Sequence, residues 1–158
     1  YGLAARQGKY DELLFMYERA TNVEDKVKLL ASLFKFKDEK LLNRALEFSL
    51  SDKVRIQDLR IVFSIVGSNP YFREIFFSWV KKNWHRLREF RKTHFVFMGL
   101  LEAFITLYIG KDKEKELREF FKKNEVGYKK TLANSFEIMQ INSAFFEKNK
   151  KVVKDYFG

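Results

Sequence analysis

Apolar residues recur along this chain at intervals of three and four positions, the spacing that places them on one face of an α-helix. Tyr10, Leu13, Leu14 and Tyr17 form the first such stripe. Further stripes follow within residues 27–34, 41–49, 59–66, 72–80, 117–121 and 132–146. No segment alternates apolar and polar residues for long enough to predict a β-strand. The pattern therefore predicts an all-α protein.

Polar residues mark where several of these helices are expected to begin. Asn22 and Asp38 each precede an apolar stripe, so we expect their side chains to cap the second and third helices. Ser68-Asn69-Pro70 predicts another start, with Pro70 at the first helical position. A short basic helix is expected over residues 84–91.

Glycines are expected to end helices at Gly8, Gly67, Gly110 and Gly127. Residues 1–6 are typical of the last turns of a helix whose start is missing, so we expect the chain to be a fragment of a longer protein. The last long helix is predicted over residues 128–148, and residues 152–157 are expected to form a closing turn or two.

The helices are expected to form one helical domain over residues 1–158. About ten helices with short connections favour stacked antiparallel pairs. Starts near residues 10, 38 and 70 lie 28 and 32 residues apart, which indicates a curved α-solenoid of the armadillo/HEAT kind.

The positive net charge of the chain is compatible with binding to an anionic partner. Lys and Arg number 31 against 21 Asp and Glu, a formal net charge of +10. The densest basic segment, residues 81–92, is interleaved with Trp79, Trp84 and Phe90. Such a segment can grip a nucleic-acid single strand by phosphate contact and base stacking. Alternatively it is a helix that buries its aromatic face and exposes its basic one, which the apolar spacing favours.

Candidate catalytic and metal-binding groups are scarce. The chain has no Cys and only two His, His85 and His94, nine positions apart, which does not match paired zinc ligands on one helix. The acidic pairs Glu12 with Glu18 and Glu114 with Glu116 are interpreted as solvated helix faces. We therefore expect no catalytic residue, no metal ligand and no cofactor in this chain.

The longest nearly apolar run, residues 95–109, contains Glu102 and is too short for a bilayer, which needs about 20 apolar residues. We interpret it as a buried helix and expect no membrane partner. The absence of Cys and of a secretory signal favours a cytoplasmic setting.

Arg55, Gln57 and Asp58 crowd the start of an otherwise apolar helix. Asp58 suits the positive end of the helix dipole, and Gln57 or Asp58 can cap the helix. We interpret the three residues as a structural motif that organises the turn.

Several short stretches occur in an order that suggests a known family. They are residues 8–17 (GKYDELLFMY), 38–46 (DEKLLNRAL), Arg55-x-Gln57-Asp58, Asn69-Pro70, 79–84 (WVKKNW), 116–121 (ELREFF), 131–133 (TLA), Phe145, Asn149 and Val152-Val153. In this order and spacing the chain resembles the C-terminal helical domain of the gluzincin zinc aminopeptidases. The likeness extends along nearly the whole sequence.

The resemblance implies a parent enzyme with an upstream zinc-dependent catalytic domain, which removes N-terminal residues from peptides. This domain would be its non-catalytic lid, with its own upstream catalytic domain and the peptide substrate as partners. By resemblance, the loop at Ser68 and Asn69 faces the substrate chamber. Ser68 stands where some relatives have a basic residue, and Tyr71-Phe72 replace a small residue and are expected to fill part of the cavity.

Two other functions stay open at this point. A basic α-helical repeat module could bind nucleic acid, or the aromatic-rich surface could serve a protein partner or a second copy of the chain.

Overall fold

This computed structural model describes residues 9–157, and for residues 153, 154, 156 and 157 it describes the backbone alone. The helix end expected at Gly8 lies outside the described residues. Within them the secondary structure is helical, without a strand, so the all-α prediction is confirmed. The nine α-helices of this part of the chain are α1 (Tyr10–Arg19), α2 (Val23–Leu33), α3 (Glu39–Ser49), α4 (Leu59–Ser68), α5 (Arg73–Lys82), α6 (Trp84–Leu87), α7 (His94–Thr106), α8 (Lys111–Lys123) and α9 (Lys129–Phe157). The curvature of a solenoid stays a prediction.

Both predicted N-caps are confirmed. The Oδ1 atom of Asn22 accepts a hydrogen bond of 2.8 Å from the backbone nitrogen of Glu24, and Oδ1 of Asp38 accepts one of 2.9 Å from that of Leu41. Each cap satisfies a donor that the first turn of a helix leaves without a partner.

The start predicted at Pro70 is wrong by one turn. Asn69 Oδ1 accepts from the backbone nitrogen of Tyr71 at 3.0 Å, and the nitrogen of Phe72 donates to the carbonyl of Asn69 at 3.0 Å. These bonds close a separate turn at Pro70, so α5 begins only at Arg73. Gly67 does not end α4 either, because the helix continues to Ser68.

Gly110 and Gly127 break the chain as predicted. Their φ angles are 97° and 77°, in the left-handed region that glycine adopts without steric cost.

The short basic helix is only half α-helical: α6 is followed by a 3₁₀ helix over Arg88–Lys92. The expected closing turns are absent from the described residues, where α9 runs without interruption to Phe157.

The buried face of α2 is wider than predicted. Leu30 and Phe34 are buried as expected, but Leu29 and Leu33 are buried too, while Val27 is only half-buried. The cause is that α2 packs against α1, α3 and α4 and therefore needs more than one apolar stripe.

The chain divides into two compact units, residues 1–99 and residues 100–158. In the first, Phe63 lies 6.3 Å from Phe76 between ring centroids, and Trp84 lies 6.0 Å from Phe97. In the second, Phe121 contacts Phe104 and Phe136 edge to face at 6.1 Å and 6.4 Å. Aromatic clusters thus hold together the core of each unit.

Candidate functional site

The side chains of Ser68 and Asn69 form hydrogen bonds with nearby backbone groups at the loop after α4. Ser68 Oγ donates to the carbonyl of Ile65 at 3.1 Å, and Asn69 Oδ1 accepts from Tyr71 as described above. Asn69 is half-buried and Ser68 is exposed. The two residues predicted to line a substrate chamber therefore shape the loop first of all.

The same loop presents an aromatic ring and a cation that the sequence analysis did not connect. Tyr71 is 70% exposed, and the Nζ atom of Lys37 lies over its ring, 4.8 Å from the centroid. Lys37 comes from the connection between α2 and α3, 34 positions before Tyr71 in the sequence. No local pattern joins the two residues. The loop thus lacks a basic residue at position 68 but has an ammonium group from Lys37 beside it.

The carboxylate of Asp58 is buried and accepts two hydrogen bonds of 2.8 Å from Arg55, one from Nε and one from Nη2. This paired, charge-assisted contact fixes the turn that precedes α4. The hydrogen bonds to Asp58 also raise the pKa of Arg55. Asp58 does not cap α4, and Gln57 is exposed. Arg55 and Asp58 therefore organise the turn as a pair.

A polar cluster connects α3, α5 and α6. Glu47 Oε1 accepts a hydrogen bond of 3.0 Å from the indole nitrogen of Trp79, and Oε2 accepts one of 2.7 Å from Arg86. Asn83 accepts from the same guanidinium at 3.2 Å and donates to the carbonyl of Trp79 at 3.0 Å. Partial burial alone would raise the pKa of the Glu47 carboxyl, but the bonds from Arg86 and Trp79 outweigh it and lower that pKa.

This cluster lies at one side of an open groove of about 710 Å³. The residues that give it its polar character are Glu39, Asn43 and Glu47 from α3, and Glu74, Ser78 and Lys82 from α5. On each helix they are four positions apart, so they form two facing polar rows. Sequence spacing shows each row separately, but not that α3 and α5 line the same groove.

Both tryptophans at the basic segment of residues 81–92 are buried, whereas Phe90 is half-buried. Trp79 and Trp84 are each 5% exposed, whereas Lys81, Lys82 and Lys92 are exposed. A single strand that stacks its bases on aromatic rings needs those rings at the surface. The burial of both tryptophans therefore supports the interpretation as a solvated basic face.

Among the described residues, the available donor side chains do not fit a zinc site. The sequence has no Cys, and the described residues contain no group of three His, Asp or Glu side chains placed to hold a metal ion. His85 and His94 are both exposed and lie on different helices. Within residues 9–157, no helix combines the length and the hydropathy that crossing a bilayer requires.

Residues 1–141 match the family model described as the ERAP1-like C-terminal domain, and the chain therefore belongs to this family. The match covers the first unit and extends through the second as far as residue 141, which lies within α9.

The chain is similar to several aminopeptidases. Aminopeptidase M1-C of Oryza sativa subsp. japonica is 32% identical over 139 residues, and Aminopeptidase M1-D of the same organism is 30% identical over 139 residues. Each alignment covers 87% of this chain and 16% of the relative. Leucyl aminopeptidase of Saccharolobus solfataricus is 28% identical over 121 residues, which is 77% of this chain and 15% of the relative. This chain thus spans only a small part of the length of these relatives.

Proposed function

We propose that this chain is the non-catalytic C-terminal domain of a zinc-dependent aminopeptidase and acts as a lid over the substrate chamber. The observation that carries the proposal is the match of residues 1–141 to the ERAP1-like C-terminal domain, together with relatives that are named aminopeptidases. The catalytic residues and the zinc ligands would come from an upstream domain.

The contribution of such a lid is enclosure. A closed chamber replaces mobile water by fixed protein dipoles, and it holds a bound peptide in one position relative to the reacting groups. Only a substrate that extends beyond its first residue can reach the lid. The lid is therefore expected to act on peptides and not on single-residue substrates.

We propose that the loop at residues 68–71 faces the chamber, with Ser68 and Asn69 shaping it and with Tyr71 and Lys37 touching the distal part of the peptide. The exposed ring of Tyr71 supports this assignment, because it offers a flat apolar contact beside the ammonium group of Lys37.

The cysteine-free sequence supports a reducing compartment, and we place the enzyme in the cytoplasm.

The test uses the full-length parent enzyme with Tyr71→Ala or Lys37→Gln and compares a peptide of several residues with an aminoacyl anilide. Loss of a contact of about 1 kcal/mol lowers kcat/KM about fivefold, and we expect this loss for the peptide alone. Lys92→Gln, which removes an exposed lysine charge outside this loop, is the matched control and should leave both substrates unaffected. Equal losses on peptide and anilide, or no loss on either, would contradict the proposal.

A further inference from the structure

No further inference is drawn: the strongest candidate, the open polar groove between α3 and α5, has its Glu47 carboxylate already bonded to Trp79 and Arg86, and nothing in the structure shows what fills the groove.

Discussion

Trp79 on α5 donates a hydrogen bond of 3.0 Å from its indole nitrogen to the carboxylate of Glu47 on α3. The ring of Trp79 is buried, so the bond satisfies a donor that has little access to water. Arg86 donates to the other oxygen of the same carboxylate at 2.7 Å. One acidic side chain therefore connects α3 with α5 and α6, which begin more than 20 residues after α3 ends.

The first prediction concerns pH. The pKa of Glu47 is lowered in the folded chain, so its bonds stabilise the fold above the ordinary pKa of 4.5. That contribution is lost as the pH falls through the lowered value. The difference in unfolding midpoint between wild type and Glu47→Gln, measured in urea, should therefore be larger at neutral pH than near pH 3. Glu119→Gln, on the exposed side of α8, is the control and should give a small difference at either pH. A Glu47→Gln difference that does not change with pH would contradict this account.

The second prediction separates the core of α5 from the basic surface after it. Phe76 is fully buried, and Phe76→Ala should lower the free energy of unfolding by about 3–5 kcal/mol because it leaves a cavity. Lys92→Ala should lower it by less than about 0.5 kcal/mol, since Lys92 is exposed. Chemical denaturation of both variants measures the two values. Similar losses would show that the helix faces are assigned wrongly.

The third prediction is an asymmetry within the Arg55–Asp58 pair. The side chain of Asp58 is 5% exposed and that of Arg55 is 33% exposed. Arg55→Ala leaves a buried carboxylate without its partner and should cost about 3 kcal/mol. Asp58→Ala leaves a guanidinium that water can reach and should cost about half as much. The double variant should be more stable than Arg55→Ala alone. If Asp58→Ala proves the more damaging change, the pair does not act in this way.

The fourth prediction concerns Gly99, which lies buried under Arg60. A Cβ atom at this position would come within 2.6 Å of Cγ of Arg60, whose guanidinium lies 4.2 Å from the centroid of the Phe95 ring. Gly99→Ala should therefore destabilise the wild-type chain by displacing Arg60. In an Arg60→Ala background the clash is removed, and the same substitution should stabilise by about 0.5–1 kcal/mol, the helix preference of Ala over Gly. Thermal or chemical unfolding of the four chains gives the result, and an equal effect in both backgrounds would refute it.

The sequence predicts structural features that depend on residues close to one another in the chain. The caps at Asn22 and Asp38 were predictable because a capping side chain bonds to a nitrogen two or three residues ahead. The start at Pro70 was wrong because the Asn69 side chain closes a turn first. The Glu47 cluster and the contact of Lys37 with Tyr71 could not be predicted, since each joins residues more than 30 positions apart.

The measurement that tests the central claim most directly is deletion of residues 1–158 from the proposed parent aminopeptidase. The truncated enzyme, once shown to be folded and to retain its zinc, is assayed on a peptide series of increasing length and on an aminoacyl anilide. If this domain is a lid, kcat/KM should fall more for the longer peptides than for the anilide, because only the peptides extend into the chamber. An equal loss on all substrates would contradict the account and assign to the domain a purely structural role.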